Sequence, residues 1–148
     1  MHLFTINKLF RQRSFHIFSK TAQYAFRIVI FMASDTQRLF SAAYIHEKID
    51  IPYKYLTMLM TKLAKAELLE VTRGRNGGFT LSRGIDEIYL VDVLEAIGEN
   101  NCTNCAFSES ECDIENPCSL HDAYKVPKQA LVEMLTTTTL ANIDPTLI

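Results

Sequence analysis

The segment Arg73-Gly-Arg-Asn-Gly-Gly-Phe-Thr-Leu81 decides the predicted fold. The preceding segment, Leu68–Thr72, is typical of a short strand, and Phe79–Leu81 is typical of its return. Between them, Asn76-Gly77-Gly78 supplies residues that adopt positive φ with little steric strain, so the segment predicts a β-hairpin with arginines at its tip. A glycine-rich phosphate loop is a poorer interpretation, because the spacing lacks the GxxxxGK(S/T) pattern and no helix follows directly.

Three helices are predicted upstream of this hairpin. Ser19 can cap a helix that runs to Ala33, Ser41 can cap a second, shorter helix, and Pro52 can open a third. One face of the third helix is apolar and carries Leu56, Leu59, Met60 and Leu63. Its other faces are polar and basic. Two helices joined by a short turn, the second of which starts polar and basic, are typical of a helix-turn-helix, and the hairpin after them would be a wing.

The predicted fold class is therefore mainly α with a small β-wing: a winged helix-turn-helix followed by a long C-terminal dimerisation helix. In such a fold the start of the third helix meets base edges in the major groove, and wing arginines suit phosphates or a narrow minor groove. The residues predicted to contact DNA are Tyr53, Lys54, Thr57, Thr61, Arg73, Arg75 and Asn76. For the third helix alone a solvated face is the simpler interpretation, and the hairpin after it favours DNA binding.

Charge is divided unevenly along the chain. Residues 1–84 carry 13 Lys/Arg and 5 Asp/Glu, whereas residues 85–148 carry 2 and 12. The basic first half indicates a polyanionic partner, and the acidic second half indicates a separate role. Chance clustering of solvated charges is the alternative. No apolar run approaches the length of a membrane span, so we expect a soluble, cytoplasmic protein with no membrane partner.

The second half of the chain is predicted to contain two more helices. Leu90–Ile97 carries an apolar stripe that Gly98 ends. The last helix should begin near Cys118 and bend at Pro127, which has no N–H for the carbonyl of Ala123. Its apolar stripe consists of Leu120, Tyr124, Pro127, Leu131, Met134 and Leu135. Such a stripe after a complete core favours pairing with the same helix of a second subunit, and packing on its own domain is the alternative.

All cysteines lie in one segment that ends at a histidine. The residues are Cys102, Cys105, Cys112, Cys118 and His121, which give a CxxC and a CxxH with 12 residues between the pairs. This density of soft donors indicates a metal site, and spacing alone leaves zinc and an iron–sulfur centre equally open. Disulfides and unliganded surface thiols are the alternatives. Acidic neighbours such as Glu109 and Glu111 disfavour a free thiolate, whereas a bound cation would stabilise one.

Three regions follow from these patterns. Residues 1–18 form a basic N-terminal extension that we expect to be disordered or to reflect a misassigned start codon; a phosphate-binding arm and an organelle presequence are the alternatives. Residues 19–84 form the winged helix-turn-helix DNA-binding region, and residues 85–148 form the cysteine loop and dimerisation helix. We find no acid–base pair and no nucleophile beside a plausible base, so no enzymatic activity is expected.

Together these features resemble the Rrf-two family of winged-helix regulators, the IscR and NsrR type, over roughly Phe18 to Ile143. The resemblance lies in Ser19-Lys-Thr-Ala-Gln-Tyr24-Ala25, Ile51-Pro-Tyr-Lys-Tyr-Leu56, the wing Arg73–Leu81, Cys118-Ser-Leu-His121 and Thr138-Thr-Leu-Ala-Asn-Ile143. It implies a homodimer that binds a near-palindromic double-stranded DNA operator. It also implies an iron–sulfur cluster in the cysteine loop, between the winged helix and the dimer helix.

The resemblance further implies which residues bind the cluster. In IscR-like members three cysteines and one histidine hold a two-iron, two-sulfur cluster, and Cys105, Cys112, Cys118 and His121 match them. A four-iron, four-sulfur cluster and zinc are the alternatives. The gap before Cys112 is one residue longer than is commonest in the family, and Cys102 is an extra thiol that could replace Cys105 or His121. NsrR-like members can use an acid near the start of the first helix of the other subunit. This chain has Gln23 at the matching position, so that mode of binding is not expected.

We therefore expect a sequence-specific transcription regulator whose operator affinity is set by the cluster. Losing or oxidising the cluster would change that affinity through differential binding to two states. Iron–sulfur status, nitric oxide and oxidants are the candidate signals. The alternatives are a zinc-stabilised winged-helix regulator and a metal-free one that responds to a partner protein or a metabolite.

Overall fold

The computed structural model describes residues 17–99, 104–105 and 115–147. Within these ranges the helices and strands are, in chain order, α1 (Lys20–Ala33), α2 (Ala42–Lys48), α3 (Tyr53–Lys65), β1 (Leu69–Thr72), β2 (Gly78–Leu81), α4 (Leu90–Ile97) and α5 (His121–Thr137). Two short 3₁₀ helices, Leu140–Asn142 and Pro145–Leu147, follow α5. This mainly helical chain with a small antiparallel sheet has the predicted fold class. Most of the predicted N-terminal extension, residues 1–16, lies outside the described residues.

The first two helices begin at the predicted capping serines. Ser19 Oγ accepts a hydrogen bond from the amide of Ala22 at 3.0 Å, and Ser41 Oγ accepts one from the amide of Tyr44 at 3.1 Å. Each bond satisfies an amide that has no partner within its helix. The third helix differs slightly from expectation, because Pro52 precedes the first turn of α3 and is not its first helical residue.

The core lies where α1, α3 and α4 pack together. Each helix buries one stripe of apolar side chains at the spacing of an amphipathic helix. The buried residues are Ala22, Ala25, Ile28, Val29, Ile30 and Met32 of α1, Leu56, Leu59, Met60 and Leu63 of α3, and Val93, Leu94 and Ile97 of α4. The stripe predicted for the third helix is confirmed, and its burial leaves the polar and basic side of α3 facing outward.

β1 and β2 form the predicted hairpin. They pair antiparallel, with Leu69 opposite Leu81 at the base. A third segment joins them, because the amide of Phe40 donates to the Phe79 carbonyl at 2.9 Å and the amide of Phe79 donates to the Phe40 carbonyl at 2.8 Å. The wing is thereby bonded to the connection between α1 and α2, a contact that the sequence pattern did not indicate.

The glycines of the wing have roles other than those predicted. Positive φ falls on Gly74, at 115°, and not within the Asn-Gly-Gly that follows, so the predicted position of the left-handed residue was wrong. The later glycines are required by close backbone approach. A Cβ on Gly77 would collide with the carbonyl oxygen of Thr72, and a Cβ on Gly78 would lie 2.7 Å from that of Phe40.

The chain returns to the core after α5. The amide of Leu90 donates to the carbonyl of Thr138 at 3.0 Å, and the side chains of Leu135 and Leu140 are buried. The C-terminal end of α5 is therefore anchored, whereas Val126 near its middle is 71% exposed. Among the described residues, no helix combines the length and the apolar character that crossing a membrane requires.

Gly78→Ala is expected to lower the free energy of unfolding by about 1–3 kcal/mol, because the added methyl group would meet the backbone of Phe40. Gly84→Ala is the matched control, since the atom nearest to its Cβ belongs to the flexible side chain of Asp86. Chemical denaturation of both variants measures the difference. Equal free energies of unfolding for the two variants would contradict this expectation and would mean that the wing can move away from Phe40 without losing stability.

Candidate nucleic-acid interface and metal site

The polar side of α3 presents the side chains predicted to contact DNA. Tyr53 is 49% exposed, Lys54 and Thr61 are exposed, and Thr57 is half-buried. Thr57 Oγ1 donates to the Lys54 carbonyl at 3.0 Å, and Thr61 Oγ1 donates to the Thr57 carbonyl at 2.8 Å. Because each hydroxyl proton is used in this way, the threonines can offer acceptor lone pairs and methyl contacts to base edges.

Contacts with α1 and α2 fix the start of α3. The rings of His46 and Tyr53 meet edge to face with centroids 5.5 Å apart, and His46 Nδ1 lies 2.9 Å from the Ile51 carbonyl oxygen. On the α1 side, Thr21 Oγ1 and Tyr55 Oη are 2.6 Å apart. Sequence reasoning missed these positioning residues, because Thr21 and Tyr55 are 34 residues apart and no local pattern joins them.

The wing presents the other three residues predicted to contact DNA. Arg73, Arg75 and Asn76 are all exposed. None of their side chains forms a hydrogen bond or an ion pair with the part of the chain that the structure describes. The two guanidinium groups are therefore available to phosphate oxygens, with which arginine can form paired hydrogen bonds.

A second basic group, which sequence reasoning missed, lies beside α2. The Arg38 guanidinium carbon is 3.8 Å from the centroid of the Tyr44 ring, and Lys48 Nζ is 5.6 Å from the same centroid. Cation–π attraction places both cations around one ring. Since the helix before a recognition helix crosses the DNA backbone, this group is a candidate for phosphate contacts. The spacing of Tyr44 and Lys48, one helical turn apart, is the signal that could have found it.

Two of the predicted metal ligands lie side by side. The Sγ atoms of Cys105 and Cys118 are 3.7 Å apart. This is far longer than a disulfide bond of about 2.05 Å. Two thiolates on one tetrahedral metal, with bonds of about 2.3 Å, lie roughly 3.8 Å apart. The contact is a hydrogen bond from the Cys105 thiol to Cys118 Sγ, and the same separation also fits two ligands of a single metal ion. Both residues are half-buried.

The remaining predicted ligands are described only in part. His121 is the first residue of α5, which was expected to begin near Cys118, and its amide donates to the Cys118 carbonyl at 3.0 Å. Cys102 and Cys112 lie outside the described residues. Within the described ranges no three or more His, Cys, Asp or Glu side chains form a group that could hold a metal ion. The four-residue ligand set therefore stays a prediction.

Comparison with known proteins identifies the family. Residues 18–144 match the Rrf2 family model, whose description is an iron-dependent transcriptional regulator. The chain belongs to the Rrf2 family. The resemblance found in the sequence motifs is thus confirmed. Rrf2 proteins are transcription regulators, so this chain is a DNA-binding winged-helix transcription regulator and not an enzyme.

Individual Rrf2 relatives agree with this assignment. A protein of Aquifex aeolicus (strain VF5), named as an HTH-type transcriptional regulator, is 27% identical over 130 residues, which cover 86% of this chain and 90% of the relative. The structure of CymR, the global cysteine regulator of B. subtilis, matches with a TM-score of 0.72 at 22% identity. The match covers 86% of this chain and 95% of the CymR chain. The structure of IscR of T. potens matches with a TM-score of 0.67 at 22% identity, and the match covers 86% of this chain and 85% of the IscR chain. At these identities the two structures establish a shared fold.

Arg75→Ala is expected to weaken operator binding and to reduce the slope of log affinity against log salt concentration by about one, because one phosphate contact is lost. Lys125→Ala is the matched control, since it removes one charge from α5, outside the predicted interface. Fluorescence anisotropy with an operator selected from random duplex DNA measures both slopes. If Arg75→Ala keeps the affinity and the slope of the unmutated protein, the wing does not contact DNA.

Proposed function

We propose that this Rrf2 regulator binds a near-palindromic DNA operator as a homodimer and that an iron–sulfur cluster in its cysteine loop sets the operator affinity. The observation that carries the cluster is the 3.7 Å separation between Cys105 Sγ and Cys118 Sγ, which fits two thiolate ligands of one metal. The iron dependence in the description of the family favours iron as that metal.

Cys105, Cys112, Cys118 and His121 would hold the cluster, with Cys102 as the alternative ligand. A two-iron, two-sulfur cluster suits this set best, because three thiolates and one imidazole match the donors of IscR-like members. When bound, the cluster would supply a redox-active iron centre. The chain's own contribution is to bring together two thiolates that are 13 residues apart in the sequence.

The homodimer is supported by the apolar side chains that remain exposed along α5 and just before it. Val126 is 71% exposed, Leu120 is 42% exposed and Met134 is 40% exposed, whereas Leu135 is buried. A second copy of the same helix would cover these side chains. Two copies of one winged helix would also match the two half-sites of a near-palindromic operator.

Control by the cluster is supported by the position of the cysteine pair in the chain. Cys105 follows α4, which packs in the winged-helix core, and Cys118 lies three residues before the start of α5. If the loaded and empty sites favour different arrangements of these helices, operator affinity differs between them. Couplings of this kind are typically about 1–3 kcal/mol, or roughly 5- to 150-fold in affinity. Iron–sulfur status, nitric oxide and oxidants are the candidate signals.

A zinc-stabilised regulator without sensing is the second candidate, because the same sulfur separation also fits zinc. A metal-free regulator that responds to a metabolite or a partner protein is a third. The fold shared with CymR, titled the global cysteine regulator, is compatible with it.

Anaerobic purification, followed by a visible spectrum and analysis for iron, sulfide and zinc, distinguishes these candidates. We expect coloured protein that contains iron and acid-labile sulfide. Tightly bound zinc without iron would contradict the cluster and select the zinc-stabilised regulator. Protein without metal, and without colour after reconstitution with iron and sulfide, would select the metal-free regulator.

Cys118→Ala is expected to lose iron and colour but to stay folded and dimeric, because Cys118 belongs neither to the helical core nor to the exposed apolar side chains of α5. Cys102→Ala should keep the cluster if His121 is the fourth ligand, and His121→Ala should keep some cluster with a shifted spectrum. Iron content, visible spectra and sedimentation of the anaerobically prepared variants measure these outcomes. A colourless Cys102→Ala beside an unaltered His121→Ala would make Cys102 the fourth ligand.

A further inference from the structure

A groove lies between the C-terminal end of α3 and one side of α4. Its volume is about 590 Å³, and its lining includes Lys62 and Lys65 of α3 and Asp92 and Glu95 of α4. Arg83 also lines the groove and forms an ion pair with Asp92 at 3.6 Å, so the groove carries charges of both signs. The groove lies on the side of α3 that faces α4. It is distinct from the polar side of α3, where the residues predicted to contact DNA begin at Tyr53.

Lys62 crosses this groove. Its Nζ donates to the carbonyl of Ile97 at 3.3 Å. Ile97 is the last residue of α4, where carbonyl groups have no partner within the helix and carry partial negative charge. The amides of Gly98 and Glu99 bond to the carbonyls of Glu95 and Leu94, one turn earlier in α4. A lysine ammonium from the recognition helix supplies a donor to the Ile97 carbonyl.

The same end of α4 is also tied to α1. The carboxylate of Glu99 accepts a hydrogen bond of 2.6 Å from Ser19 Oγ, and Ser19 is the residue that caps α1. Residues 97–99, which we call the loop root, lead from α4 towards the cysteine segment. The loop root is thus bonded to α1 and to α3 within three consecutive residues.

We propose that Lys62 is a positioning residue that couples the orientation of the recognition helix to the loop root and does not contact DNA. A change in the backbone path of the loop root moves the Ile97 carbonyl, which accepts the hydrogen bond from Lys62, and so changes the preferred orientation of α3. Lys62 lies in the last turn of α3, whereas recognition helices contact bases through their N-terminal residues. The regulatory purpose of this coupling rests on the proposed control by the cysteine site. The coupling itself is a property of the winged-helix core.

Hydrogen exchange at the amides of Gly98 and Glu99, with and without operator DNA, tests the coupling in the full chain. Because coupling between two sites is reciprocal, DNA that fixes α3 should slow exchange at the root. We expect exchange to slow roughly two- to fivefold, because this range matches the stabilisation that a cation typically gives at a helix C terminus. Lys62→Met keeps a long side chain without the donor, and should abolish the slowing.

Lys65→Met is the matched control, since Lys65 lines the same groove and has no described bond to the loop root. This variant should keep the slowing. Equal slowing in the two variants would overturn the proposal, and so would an absence of slowing in the unmutated protein.

Two affinity measurements separate Lys62 from other roles. Lys62→Met should keep the unmutated slope of log operator affinity against log salt concentration. A slope reduced by about one would identify a phosphate contact and overturn the proposal. The operator affinity of Cys118→Ala tests the proposed function instead. If it equals the unmutated affinity, control by the cysteine site fails, and the exchange experiment still decides whether Lys62 couples α3 to the root.

Discussion

The complete burial of one face of α3 is the constraint on which the rest of the structure depends. Leu56, Leu59, Met60 and Leu63 are each 0% exposed. At about 1.5–3 kcal/mol for each large apolar side chain, this face contributes on the order of 6–12 kcal/mol before conformational entropy is subtracted. That is comparable with the whole net stability of a domain, about 5–15 kcal/mol. The core therefore determines which side of α3 can meet DNA.

The same core allows the cysteine site to change without unfolding the protein. Leu135 and Leu140 join the C-terminal end of α5 to the buried cluster, and Thr138 bonds to the segment that begins α4. Neither anchor involves Cys105 or Cys118. Under the proposed function, loading or emptying the site would therefore alter the approach to α5, while α1, α3 and α4 stay packed.

Local features of the fold were predictable from the sequence, and contacts between distant segments were not. The caps at Ser19 and Ser41 and the apolar face of α3 depend on residues within one or two turns, so their patterns are visible in the chain. The role of Gly78 was not predictable, because it is required by the backbone of Phe40, which pairs with the wing from a distant segment. In the candidate site, the cysteine and wing residues were recognisable by type and spacing. The bond from Lys62 to α4 has no such local signal.

In the proposed function, the state of the cysteine site sets the affinity of the regulator for DNA. The most direct measurement is operator affinity for one anaerobic preparation before and after its metal is removed by chelation, at constant salt and with the dimer verified at both stages. We predict a change of at least about fivefold, the lower end of typical coupling between two sites. Equal operator affinities of the metal-loaded and the metal-free dimer would contradict control of DNA binding by the cysteine site.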